Sequence, residues 1–364
     1  MKKKLIALLL AIGVIGSTPI ITSITANATP LQGNKQESTV KENQSNSIIA
    51  HTTTKSNEIY NKFNNFDLQH YNVSLKDGKI SISQKAYKGS SFAVIPNYKP
   101  VNTKEAENII NSNQSTKDLI EKELKEGKQI VGFSVTKRVM EQTTNEKTKE
   151  TSCKFLTNEE VNSQYKDNKI RPISLFSTNA GIRQTMGELT LTSLVVRDPN
   201  FSGNNNEFNV VGNAMWNLGS FHSPFLNGQH EPSTGLDFMG ITFPTGFEGR
   251  GGDWMGFKAF NQRGDHVYAS LSAVNNNGFV YQFNEMQSEN PYYLYTRNIS
   301  EYAQIRQTGN WGGSKMFKVT YIHTYGSFTP TIGISASTSG VGGSIGLRGT
   351  SKQISVVSPV YLQE

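Results

Sequence analysis

The stretch Phe317-Lys318-Val319-Thr320-Tyr321-Ile322-His323-Thr324-Tyr325 places large side chains at every odd position. Successive side chains of a strand point to opposite faces, so this period of two predicts a β-strand with Phe317, Val319, Tyr321, His323 and Tyr325 on one side. The same alternation occurs in Phe208, Val210, Gly212, Ala214 and Trp216, in Val267, Ala269, Leu271 and Ala273, and in Phe279, Tyr281 and Phe283. Turn formers stand between these runs, among them Asn275-Asn276-Asn277-Gly278 and Pro244-Thr245-Gly246. Short alternating strands separated by such turns predict an antiparallel β-sandwich, jelly-roll-like, over residues 179–364. No fixed-period repeat points to a propeller or solenoid.

The first half of the chain differs in composition. Residues 29–180 carry 22 Lys+Arg against 17 Asp+Glu, and residues 181–364 carry 11 against 12. Of 32 glycines, 25 lie in 181–364, together with Trp216, Trp254 and Trp311. This shift predicts a small α+β domain over 59–178 ahead of the sandwich. Within it Lys76-Asp77-Gly78-Lys79 reads as a hairpin turn. Thr103 is placed to cap a helix through Ile110, and a second helix is expected from Ser115 to just before Gly127. A strand is expected at 130–135, and Thr157-Asn158-Glu159-Glu160 has capping-box spacing for a short third helix.

At the N-terminus, Lys2-Lys3-Lys4, an apolar run at 5–15 and Ala26-Asn27-Ala28 have the three parts of a secretory signal peptide, with cleavage expected after Ala28. Residues 29–58, rich in Ser, Thr, Asn, Gln and Lys, read as a disordered leader or linker. The expected address is therefore extracellular. The lone Cys153 excludes an intramolecular disulfide and has no nucleophile motif around it. The mild positive charge, with no arginine cluster or basic helix, argues against nucleic acid as partner.

No nucleophile elbow, Walker loop or zinc-binding spacing is present, and no cofactor or metal is implied. A non-enzymatic role is the expectation. Its first form is recognition of a cell-surface glycan or wall component by loop residues Trp254, Trp311, Tyr292, Tyr293, Asp253, Asp265 and His266, because aromatic rings at the ends of a sandwich suit stacking on sugars. The second form is membrane action through 331–347. There Ile332, Ile334 and Ala336 share one face of a first arm, and Val341, Ile345 and Leu347 share one face of a second, around a turn near Ser339-Gly340. Uncharged arms of this kind suit a membrane β-hairpin, but arms of about 6–8 residues fall short of the roughly 9–11 needed to span, which favours two ordinary sandwich strands. The enzymatic alternative is an extracellular hydrolase using carboxylates and histidines drawn from His222, His230, Glu231, Asp237, Asp253, Asp265 and His266. Arg263-Gly264-Asp265 reads as a turn, and His323 as a hydrogen-bonded sheet residue. Oligomeric state is left open.

Overall fold

The computed structural model describes residues 63–85, 101–145, 147–148, 150–164, 175–177, 182–199, 207–216, 236–250, 253–261, 263–289, 292–309, 313–325, 331–335, 342–348 and 352–362. The expected signal peptide and leader lie outside them.

The elements begin with strands β1 (Phe63–Asp67), β2 (Tyr71–Lys76) and β3 (Lys79–Gln84) and helices α1 (Thr103–Ser112) and α2 (Gln114–Lys125). Next come β4 (Gln129–Asn145), β5 (Thr151–Phe155), helix α3 (Asn158–Gln164), β6 (Leu175–Ser177), β7 (Ile182–Arg197) and β8 (Glu207–Trp216). They continue with β9 (Leu236–Thr242), β10 (Phe247–Gly249), β11 (Met255–Asn261), β12 (His266–Val267), β13 (Ala269–Asn275) and β14 (Gly278–Asn284). The last are β15 (Met286–Glu289), β16 (Tyr292–Gln307), β17 (Lys315–Thr324), β18 (Thr331–Ser335), β19 (Ser344–Arg348) and β20 (Gln353–Leu362).

Two antiparallel sheets form the body. The larger runs β1-β4-β7-β8-β16-β11-β12, with β5, β6, β10 and β15 on its flanks, and the smaller runs β13-β14-β9-β17-β20. One continuous core lies between them. Leu189, Leu191, Val210, Ala214, Ile299 and Ala303 face Met239, Ile241, Phe279, Phe317, Val319 and Val356 across it. Buried hydroxyls also join the sheets: Ser134 and Ser358 share a 2.7 Å hydrogen bond, and Ser193 donates to the Ser358 carbonyl at 2.5 Å. As the alternation predicts, the chain is mostly antiparallel β-sheet, an arrangement consistent with a β-sandwich, and strands β1 and β4 from the first half take part in it.

The composition boundary near residue 178 falls inside a sheet. β4 pairs with β7 from Gln129↔Arg197 to Asn145↔Ile182. Val131 and Met140 enter the same core as Leu189 and Leu191. Helices α1 and α2 and the β2–β3 hairpin instead cover the other side of the large sheet, where Ile110, Ile120 and Ile80 pack on Phe133, Val135, Leu194 and Val196.

Local signals act mostly where expected. Asp77 (φ 48°) and Gly78 (φ 69°) take the two left-handed positions of the β2–β3 turn, which a hairpin's twist favours. The α3 capping box closes both ways, the Glu160 N–H donating to Thr157 Oγ1 at 3.2 Å and the Thr157 N–H to Glu160 Oε2 at 2.8 Å. The first two helices begin one residue earlier than read. Asn102, not Thr103, caps α1 by accepting from the Glu105 N–H, and Asn113 caps α2 by accepting from the Thr116 N–H. Asparagine is among the strongest N-caps, so it takes the role from its neighbour.

Candidate functional site

The outer face of the small sheet carries a separate apolar cluster. Phe238 on β9, Val280 on β14 and Ile322 on β17 point away from the main core, as strand alternation requires of even-numbered residues here. They are covered by the β18–β19 hairpin, whose Ile332, Ile334, Ile345 and Leu347 pack on them. The hairpin's other face, Thr331, Gly333, Ser335, Ser344, Gly346 and Arg348, is exposed. The register runs from Thr331↔Arg348 to Ser335↔Ser344.

Polar contacts fasten the hairpin at both ends. The Gly342 N–H donates to the Met316 carbonyl at 2.8 Å, and Thr242 Oγ1 donates to the Gly343 carbonyl at 2.9 Å. Lys318 Nζ donates to the Gly342 carbonyl at 2.8 Å, and burial holds this amine below the ordinary lysine range. At the base, the Tyr325 N–H donates to the Lys352 carbonyl at 3.1 Å. The residues expected on the apolar face are thus brought together. Ala336 and Val341, also expected there, lie outside the described residues.

The loop residues expected to bind a glycan are not gathered in one place. Asp253 and Trp254 precede β11, whereas Asp265 and His266 follow it, so the two pairs stand at opposite ends of a seven-residue strand. Trp254 is half-buried, with its ring edge-to-face against Phe243 at 5.9 Å and Phe279 at 5.5 Å. Asp265 and His266 are exposed. Arg263-Gly264-Asp265 is the turn between β11 and β12, with Gly264 at φ 90° and Asn261 Oδ1 accepting from the Arg263 and Asp265 N–H groups. His266 belongs to a surface row of rings, 5.9 Å from Phe260 and 5.7 Å from Tyr268, and Tyr268 is 84% exposed. Tyr292 and Tyr293 open β16, opposite Glu289 and Ser288. Trp311, His222, His230 and Glu231 lie outside the described residues.

A polar site that the sequence reading did not assemble sits inside the sandwich. Asp237 on β9, Glu285 just after β14 and His323 on β17 occupy inward positions at one end of three adjacent strands, with exposures of 0%, 1% and 0%. His323 Nδ1 stands 3.2 Å from Asp237 Oδ1 and 3.5 Å from Glu285 Oε2. His323 Nε2 is 3.4 Å from Gln142 Oε1 of the opposite sheet. Asp237 also accepts from the Tyr321 hydroxyl and from the Thr324 N–H, and Tyr321 in turn accepts from Trp216 Nε1 at 3.1 Å.

Burial opposes a charge on His323, but Glu285 and Asp237 outweigh it and push the imidazole up to about 9. Burial drives Glu285 up to about 8, with His323 pulling against it and Asp237 adding to it. Burial and the nearby Glu285, Asp237 and Glu141 push the Cys153 thiol up to about 12, which leaves it a poor nucleophile. The signal for this site was the parity of charge in apolar strands: Asp237 shares a face with Met239 and Ile241, and His323 with Val319 and Tyr321.

No family model matches the chain, and no curated protein is significantly similar to it. Among solved structures it is similar to the collagen-binding domain of a Staphylococcus aureus adhesin, at 7% identity over 44% of this chain and 89% of that one, with a TM-score of 0.24. A structure described as a pore forming protein matches at 8% identity over 64% of this chain and 95% of that one, with a TM-score of 0.25. Clostridium perfringens delta-toxin matches at 7% identity over 65% and 94%, with a TM-score of 0.26. Scores this low describe a shared β-rich character and assign no activity. Among the described residues no helix is long and apolar enough to cross a membrane, which says nothing about crossing by strands.

Proposed function

We propose that this chain is an exported, membrane-active protein whose segment 326–351 leaves the sandwich and inserts as a β-hairpin. The observation that carries the reading is the two-faced β18–β19 hairpin, laid by its apolar face on a cluster outside the main core. Residues 326–347 contain no Asp, Glu, Lys, Arg or His, in a chain that is 18% charged. Beyond the five-pair ladder from Thr331↔Arg348 to Ser335↔Ser344, the uncharged sequence runs back to 326 and on to the turn expected near Ser339-Gly340, which supplies chain for longer arms on insertion. A membrane strand needs about 9–11 residues. Ile332, Ile334, Ile345 and Leu347 share one face, while Arg348 falls on the other, which becomes the polar lumen side of an inserted hairpin. An open hairpin has unpaired edges in lipid, so several copies must each supply one hairpin to close a barrel.

Detachment does not require the core to open. Each half-buried Ile or Leu contributes on the order of 1–2 kcal/mol to docking, so the hairpin is held more weakly than the sandwich beneath it. The test is dye release from liposomes by purified residues 29–364. Leakage that vanishes in Ile334→Asp/Ile345→Asp, with the sandwich still folded, supports insertion. Leakage that is absent from wild type, across anionic and zwitterionic vesicles, sinks it.

A second reading, recognition of a surface component, is favoured by the ring row of half-buried Phe260 and exposed His266 and Tyr268. Rings presented this way suit stacking on a sugar. Loss of cell or polysaccharide binding in Tyr268→Ala, with leakage unchanged, would separate this role from insertion.

A further inference from the structure

We propose that Asp237, Glu285 and His323 form a buried site for one divalent transition-metal ion of the zinc class. The three side chains offer one imidazole nitrogen and carboxylate oxygens that all lie within 4.8 Å of one another. Tetrahedral zinc with bonds of about 2.0–2.1 Å sets neighbouring ligand atoms about 3.3 Å apart. The His323 Nδ1 separations of 3.2 Å from Asp237 and 3.5 Å from Glu285 bracket that edge.

Three further features point to a cation. Glu285 Oε2 is buried without a hydrogen-bond partner and is turned toward His323 Nδ1. His323 Nδ1 is hydrogen-bonded to Asp237 at 3.2 Å while Nε2 faces the Gln142 Oε1 acceptor at 3.4 Å, so an ion that displaces the Nδ1 proton finds the ring already oriented by its other nitrogen. A metal-bound histidine characteristically gives its other N–H to such an acceptor. Once binding displaces their protons, two carboxylates and a neutral imidazole carry a charge of −2, which a divalent ion cancels inside the buried core. Calcium and magnesium prefer more ligands, all oxygen, so an imidazole with two carboxylates selects zinc and its neighbours. The Tyr321 hydroxyl and the Thr324 N–H, both donating to Asp237, hold that ligand in place.

The test uses residues 29–364. The chain is stripped with a chelator, titrated with Zn²⁺ alone, and then with Co²⁺. One equivalent of Zn²⁺ bound, a rise in Tm that Mg²⁺ and Ca²⁺ do not reproduce, and the visible d–d bands of protein-bound Co²⁺ are expected. Glu285→Gln, nearly isosteric, abolishes the Co²⁺ bands. Gln142→Ala weakens Zn²⁺ about 10- to 100-fold. His266→Ala, on the surface, changes neither. Absence of stoichiometric Zn²⁺ and of any Tm response in the wild type overturns the site and leaves a proton-linked ion pair in its place. The wild-type titration decides this even if a variant at the site fails to fold.

Discussion

Ile345 of β19 lies directly over Gly240 of β9: a Cβ on that glycine would stand 2.7 Å from the isoleucine Cδ1. The hairpin therefore approaches the backbone of the sheet it covers, through a gap that only glycine leaves. The same position shows why docking is local. Gly240 sits between Met239 and Ile241, whose side chains serve the inner core, while the hairpin touches only the outer side.

Ile334→Asp/Ile345→Asp is expected to free the hairpin without melting the sandwich. Limited proteolysis should cut within 326–351 many times faster than in wild type. The Tm should fall by only a few degrees, because Phe317, Val319 and Ile241 keep their contacts. Global unfolding of the variant would show that the hairpin is an integral part of the core.

Lys318→Met is expected to quicken release. The amine bridges β17 to the Gly342 carbonyl, and the methionine keeps the stem but not the charge-assisted bond, worth about 1.5–3 kcal/mol. Faster proteolysis at 326–351, and faster leakage if the hairpin inserts, are the readouts. An unchanged rate of cleavage would show that Lys318 does not latch the segment.

Glu301→Gln is expected to stabilise the protein more at pH 7 than at pH 4. Glu301 lies fully buried on the core-facing side of β16, with neither carboxylate oxygen hydrogen-bonded, and burial holds its carboxyl well above the ordinary value of 4.5. The folded state thus keeps a proton that the unfolded state releases above about pH 4.5, so stability falls as pH rises past that point. Thermal melts at both pH values check it: the variant's advantage should be near zero at pH 4 and grow with pH.

Tyr321→Phe is expected to cost about 1–3 kcal/mol, because Trp216 Nε1 loses its acceptor and Asp237 loses a donor inside the core. Urea unfolding measures the loss. A neutral result would mean that buried water replaces the hydroxyl.

How much of this was legible in sequence follows from what each signal encodes. Alternation in 317–325 gave a strand and its inward residues, and His323 does lie inward with Phe317 and Val319. What alternation omits is the partner. β4 and β7 come from the two halves of the chain that differ in overall composition, yet they pair along their whole lengths. The expected boundary at 178 rested on composition, and composition records solvent exposure rather than pairing. Trp254 was placed with the loops for its position, but Gly249 leaves room for its indole to fold back against Phe243 and Phe279.

By itself the sequence determined the local features: strand periods, the Asp77-Gly78 turn, the α3 capping box and the uncharged two-faced segment around Ile334 and Ile345. These depend on residues within a few positions of one another, through backbone sterics and side-chain direction. Only the tertiary structure decided that the apolar face of that segment rests on Phe238, Val280 and Ile322. It alone brought Asp237, Glu285 and His323 together across 86 residues. Sheet pairing and packing are set by which distant surfaces fit, and no short window of the chain contains both partners.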